Sequence, residues 1–230
     1  MGTQAYAPID RLDLTDQAYE VLKDKILRRE LAPGDKISVD EVSRGLGVSR
    51  SPVTSALRRL ASEGLVTIQP QRGTFVSGLT AREVDEWFDI RLMIELHAAD
   101  LALARGAVPE LLHQLDRPIE LMRRSVGQAR YEDYKTFMDG DRDFHHALVR
   151  SANNDHLLRL YSELNVHIQV ARAHYVNGVE EPLQVQQEHD AILAAFTTQD
   201  PDRVRQALRT HILNVKSRIL ELLEARGGQL

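Results

Sequence analysis

The chain has 230 residues, 29 Lys/Arg against 34 Asp/Glu, a formal net charge of −5 and 27% charged residues. That is the profile of a globular protein with one or two domains and room for a real core. The absence of cysteine excludes disulfides and thiolate metal sites and fits the cytoplasm; no apolar run approaches the roughly 18 residues of a membrane span, and residues 1–10 lack the basic-then-apolar order of a secretory leader.

The charge is unevenly placed. Up to Gly78 there are 11 Lys/Arg against 10 Asp/Glu, and beyond it 18 against 24. Within residues 44–72, Arg44, Arg50, Arg58, Arg59 and Arg72 face only Glu63. Positive charge is therefore local, sufficient for phosphate contacts, while the acidic remainder limits indiscriminate binding to nucleic acid.

In chain order, residues 14–31 read as a helix with Ala18, Leu22 and Ile26 at helical spacing, Thr15 or Asp16 as caps, and Ala32-Pro33-Gly34-Asp35 as its stop. Lys36-Ile37 is a brief extended piece. Ser38 followed by Glu41 has capping-box spacing and opens a second helix to Leu46. Gly47-Val48 turns into a third helix, for which Ser51 is the predicted cap and Pro52 the first helical residue. Val53, Leu57 and Leu60 form its inward stripe, and Arg50, Ser51, Thr54, Ser55 and Arg58 its polar, basic face. After Gly64, residues 65–69 and 74–76 alternate as two strands around Pro70-Gln71-Arg72-Gly73. Three helices and a hairpin make a winged helix-turn-helix. Its third helix suits the major groove, and Arg72 at the wing tip can reach the minor groove or a phosphate.

P-G-D-K-I-S, then V-S-R-S-P-V with A-L and L-A-S-E-G-L-V, then Q-R-G-T-F-V, resemble the DNA-binding domain of GntR-family transcription regulators over residues 14–78. The resemblance implies that Arg50, Ser51, Thr54 and the wing residues Arg72 and Gly73 contact DNA. Family members often carry Arg then Glu where this chain has Thr54-Ser55. Thr54 can touch a thymine methyl or donate one hydrogen bond but cannot clamp a guanine, so the operator is expected to differ from the usual one.

Gly78-Leu79 is the predicted joint, dividing the chain into residues 1–78 and 79–230. Thr80 and Glu83 form a second capping box, opening a helix to about Arg105. Pro109 starts the next, to about Val126, with Pro118 kinking or interrupting it. Residues 131–152, 156–176, 182–197 and 201–225 follow, the gaps marked by Asn153-Asn154, Asn177-Gly178 and Gln199-Asp200. The fold class is mainly α: a winged helix-turn-helix followed by an all-α bundle of about six helices.

Four ionisable residues project from apolar stripes of that bundle. Asp141 and His145 are one turn apart in line with Phe137 and Leu148; His189 lies between Val185 and Ile192-Leu193; His211 lies between Leu208 and Val215. Buried unpaired, such groups cost a few kcal/mol each. One carboxylate and three imidazoles converging from three helices suit a first-row divalent ion, with Zn, Mn, Ni and Fe(II) all acceptable; the plain alternative is a hydrogen-bonded core residue at each position. His146 cannot share the inward face with His145, and His97, His113, His156, His167 and His174 carry no comparable motif.

D-R-D-F-H, Q-E-H-D-A-I-L and R-T-H-I behind this winged helix resemble the FCD ligand-binding domain of the FadR branch, whose metal-binding members use an Asp and a His one helical turn apart plus two later histidines. Asp141, His145, His189 and His211 match that pattern. The resemblance implies a small carboxylate effector, an organic or sugar acid, at open positions on the metal. Arg91 and then Arg172 are the cations available to it, although Arg91 is also placed for an i,i+4 ion pair with Glu95. The expected function is a ligand-responsive transcription regulator, a repressor by family default, binding a palindromic operator as a homodimer. A metalloenzyme using the Asp/His set to activate water is the alternative; no H-E-x-x-H, G-x-S-x-G or phosphate-cradling glycine loop supports it.

Overall fold

A computed structural model describes residues 14–127, 130–175 and 182–225 of the chain; the predicted Asn177-Gly178 break lies outside them. The chain forms two compact units, dividing between Ser77 and Gly78.

In the first unit, α1 (Leu14–Leu27), α2 (Val39–Leu46) and α3 (Arg50–Ser62) accompany β1 (Lys36–Ile37), β2 (Val66–Gln69) and β3 (Gly73–Val76). Ala18, Tyr19, Leu22 and Ile26 of α1 bury against Val53, Ala56, Leu57 and Leu60 of α3. The predicted run of α1 to Leu31 is too long: Arg29 enters the left-handed region at φ 57° and the chain leaves the helix. Thr15 and Asp16 lie inside its first turn rather than capping it. Helix α3 also begins earlier than predicted, at Arg50 with Ser49 as cap residue and no side-chain cap bond. Ser51 and Pro52 are thus first-turn residues, where a missing N–H costs nothing. Ser38 accepts from the Glu41 amide, the first half of the expected capping box. The predicted hairpin is the greater part of a three-stranded sheet of order β1-β3-β2, because Lys36-Ile37 pairs with Thr74-Phe75.

The second unit holds α4 (Ala81–Ala104), α5 (Val108–Arg124), α6 (Tyr134–Ser151), α7 (Asp155–Tyr175), α8 (Pro182–Thr198) and α9 (Pro201–Ala225). The capping box of Thr80 and Glu83 is complete in both directions. Pro118 does not interrupt α5, which runs through it. Its missing amide releases one carbonyl of the preceding turn, and its own carbonyl faces Gly140 of α6, where an added Cβ would come within 2.9 Å. Helix α6 starts three residues later than predicted because Asp133 caps it, accepting from the Thr136 amide at 2.9 Å, while Tyr131 pairs with Val126 in an isolated bridge.

Two apolar clusters build the bundle. One gathers Phe88, Ile94, Tyr161, Ile168, Ile212 and Ile219 from α4, α7 and α9. The other gathers Leu111, Leu115, Phe137, Phe144, Ile192 and Phe196 from α5, α6 and α8. Buried with them are Arg91, Glu95, Asp141, His145, Arg172, His189 and His211.

Candidate functional site

On α3 the inward stripe leaves Arg50, Ser51, Ser55 and Arg58 exposed and Thr54 half-buried on the other face. Arg50 is not loose: its Nε lies 3.0 Å from Asp40 Oδ1 on α2, which leaves the outer guanidinium edge for a ligand. The Thr54 hydroxyl donates to the Arg50 carbonyl at 2.9 Å, so its one donor is spent and it offers a methyl group and oxygen lone pairs. Arg59 turns the other way, over the Tyr19 ring at 3.7 Å and toward Asp16 at 3.0 Å, and belongs to the packing of α1 on α3. Arg72 and Gly73 sit in the turn between β2 and β3, Arg72 exposed and Gly73 at φ 121°, a backbone region suited to glycine.

In the second unit the side chains of Asp141, His145, His189 and His211, 1% exposed or less, each bring a ligand atom to within 4.8 Å of the others. The Nε2 atom of His145 is 3.1 Å from that of His211 and 3.3 Å from that of His189. Asp141 Oδ1 lies 3.0 Å from His189 Nε2 without hydrogen-bond geometry to any described residue.

What each ring does with its other nitrogen decides the chemistry. His145 Nδ1 is 2.7 Å from Glu95 Oε2, His189 Nδ1 is 2.8 Å from the Val185 carbonyl, and His211 Nδ1 is 3.0 Å from Glu188 Oε2. A carbonyl and ionised carboxylates only accept, so each Nδ1 carries the proton and each Nε2 presents a lone pair. Burial pushes the His145 imidazole below its usual range, and burial with neighbouring His189 pushes His211 well below, so a second ring proton is disfavoured. Burial alone would raise the Asp141 carboxyl, but Arg172 and His145 outweigh it and hold it well below the usual range. With the Nδ1 protons committed, three Nε2 atoms and Asp141 Oδ1 point at one volume, an arrangement that a cation completes.

The FCD domain family matches residues 86–214, more than half of the chain, and the family of bacterial regulatory proteins designated gntR matches residues 14–76. The chain belongs to the GntR family of bacterial regulators and carries an FCD domain. The gluconate operon transcriptional repressor of Bacillus licheniformis is 28% identical over 206 residues, 87% of this chain and 83% of the relative. Among solved structures, E. coli McbR/YncC superposes with a TM-score of 0.71 at 22% identity, covering 92% of this chain and 99% of its own. The Zn2+-bound FCD domain of TM0439 covers 63% of this chain and 96% of its own, with a TM-score of 0.52 at 20% identity. As a GntR-family member the chain is a DNA-binding transcription regulator. The family is one of transcription regulators, which is consistent with a non-enzymatic role. No helix among the described residues is long and apolar enough to cross a membrane.

Within the FCD domain, both arginines proposed for an effector lie beside the cluster, already paired. Arg172 meets Asp141 Oδ2, leaving Oδ1 to the histidines. Arg91 Nε donates to Glu95 Oε1 at 2.7 Å, the i,i+4 pair that its spacing suggests, yet its buried Nη1 has no partner among the described residues. Burial raises the Glu95 carboxyl, but His145 and Arg91 outweigh it and hold it at about 2.

Three residues of this FCD site were missed by sequence reasoning. Glu95 was seen only as a partner of Arg91, whereas it also orients His145 and accepts from Tyr161 at 3.2 Å. Glu188 and Arg218 were not singled out. Glu188 directly precedes His189, and that adjacency within Q-E-H was the available signal, pointing one side chain at the cluster and its neighbour at α9.

Proposed function

We propose that this GntR-family regulator is a cytoplasmic repressor of the FadR branch, binding a palindromic operator as a homodimer. Its FCD domain holds a divalent metal ion through Asp141, His145, His189 and His211 and senses a small carboxylate there. The convergence of three Nε2 atoms and one carboxylate oxygen in a buried volume carries this reading. The donor set suits Zn, Mn, Ni or Fe(II). A bound ion would supply positive charge and one or two open coordination positions to an organic or sugar acid. Arg91, with one buried N–H unpartnered, and Arg172, seated on Asp141, are the residues offered to such an anion.

On the DNA side, Arg50, Ser51, Thr54, Ser55 and Arg58 face the major groove, and Arg72 and Gly73 approach the adjacent backbone or minor groove. The exposed basic face of α3 and the left-handed wing turn support this assignment. The repressor role follows the related gluconate operon repressor. A coupling of about 1–3 kcal/mol between effector and DNA sites suffices to switch operator occupancy.

The deciding experiment has two arms on the full chain. Elemental analysis of purified protein should find about one divalent ion per chain, lost in His189→Ala. A thermal-shift panel of organic and sugar acids should then find ligands that stabilise metal-loaded protein only. Metal content unchanged by His189→Ala would sink the site, and a panel that stabilises metal-free protein equally would sink effector binding at the metal.

A further inference from the structure

Glu188 sits on α8 one residue before His189, yet it accepts hydrogen bonds from α9. Its Oε2 accepts from His211 Nδ1 at 3.0 Å, and its Oε1 accepts from Asn214 Nδ2 at 2.9 Å and Arg218 Nη2 at 2.7 Å. These three partners lie at i, i+3 and i+7 of one helix face. Carboxylate and guanidinium are each 9% exposed. The other two ring protons of the cluster go elsewhere: His189 is satisfied by a carbonyl of its own helix and His145 by Glu95 of α4.

We infer that Glu188 is a positioning residue for the metal centre, fixing His211 as the Nδ1–H tautomer so that its Nε2 lone pair is available to a divalent ion. This rests on the reading of the four-residue cluster as a metal site. Arg218 and Asn214 occupy the remaining lone pairs of the carboxylate and fix its rotamer, so the imidazole ring has one orientation before any ion arrives. A glutamine at position 188 keeps the shape but has one acceptor oxygen in place of two; with that oxygen turned to the donors of Asn214 and Arg218, its NH2 faces His211 Nδ1. The His211 ring then gains by placing its proton on Nε2, which turns the ligand atom into a donor.

The test is Zn2+ affinity of the full chain, by calorimetry against a competing chelator, with the 15N shifts of the His211 ring in the metal-free protein. E188Q should weaken Zn2+ binding about 10–100-fold and move the His211 proton from Nδ1 to Nε2. R218M frees the carboxylate from its guanidinium but leaves His211 Nδ1 its acceptor, so it should weaken Zn2+ binding less than E188Q does and keep the His211 proton on Nδ1. An equal loss in both variants would make the effect one of packing and overturn the assignment. So would an E188Q protein that binds Zn2+ like wild type. If E188Q does not fold, the wild-type spectrum still decides, because a metal-free His211 protonated at Nε2 contradicts the role of Glu188. Wild-type protein that takes up no Zn2+ while showing the Nδ1–H tautomer would instead overturn the metal reading itself.

Discussion

His145 and His211 lie with rings 14° from parallel and Nε2 atoms 3.1 Å apart, close enough for a hydrogen bond that neither ring supplies. Both have committed their proton at Nδ1, to Glu95 and Glu188 respectively. Lone pairs facing each other at this distance repel, and Phe144 packs edge-on against the His145 ring. A cation converts the repulsion into ligation. Stripping metal with a chelator is therefore expected to lower the melting temperature of the FCD domain, and ion held at a hundred times its Kd would restore about 2.7 kcal/mol. Calorimetric melts with and without chelator check this; superimposable curves would count against ligation.

Arg50 carries the DNA prediction. Its side chain is 72% exposed and pairs with Asp40, so Arg50→Ala should leave the melting profile unchanged. A lost bidentate base contact costs about 1–3 kcal/mol, so operator affinity should fall about five- to 150-fold. Gel shifts on an operator selected with the wild-type protein measure it, and undiminished affinity would remove Arg50 from the interface.

Gly140 makes a packing prediction with a functional readout. A Cβ there meets Met122 Cγ and the Pro118 carbonyl, both at 2.9 Å, and a backbone oxygen cannot swing aside. Gly140→Ala should cost about 1–3 kcal/mol by overpacking. Because Asp141 is the next residue, Zn2+ affinity should fall with it. Urea unfolding and metal titration on the same sample test the two effects together, and a variant that loses neither would show that α5 and α6 separate freely.

Arg91 and Glu95 form a pair with both partners essentially out of solvent. Arg91→Met leaves a buried carboxylate uncompensated, at about 3–5 kcal/mol. Glu95→Gln in the same background should cost less than the sum of the single changes. A double-mutant cycle by chemical denaturation reads the coupling, and additive effects would mean that the two charges are screened from each other.

The acid response has a definite sign. Glu95 and Glu188 are held at about 2 against an ordinary 4.5, and His145 and His211 are lowered from 6.5. Each group is depressed in the folded state, so each contributes stability that is complete above its ordinary value and is lost as pH falls through the lowered one. Metal-free protein should therefore lose stability first below about pH 6.5, as unfolding lets the histidines take protons, and again below about 4.5 as the glutamates follow. Urea midpoints between pH 7 and pH 4 follow the first loss; a midpoint that rises on acidification would contradict the neutral-histidine assignment.

Much of this architecture was legible because its signals are local. Gly47 and Gly64 punctuate the helix-turn-helix, Thr80 and Glu83 open α4, and the apolar stripes around Asp141, His145, His189 and His211 declare which way those side chains face. The errors arose where a tertiary partner decides. Two residues cannot announce a strand by alternation, so Lys36-Ile37 became β1 only through its pairing with β3. Pro118 has the sequence signature of a break, but the turns on either side hold α5 together against α6. Asp40, Glu95 and Glu188 act on residues of other helices, and no single-helix periodicity encodes such a pair.

The histidine cluster has a last consequence for a chain without cysteine. His145 and His189 are 44 positions apart, and His145 and His211 are 66. An ion gripping all three would close large loops in any partly unfolded chain, as a staple does. Covalent links closing loops of such lengths constrain the unfolded state by about 4 kcal/mol. Unlike a disulfide, this cross-link would not be broken by thiol reductants and would be reversible by dilution or chelation, so the availability of the ion would set how tightly α6, α8 and α9 are tied.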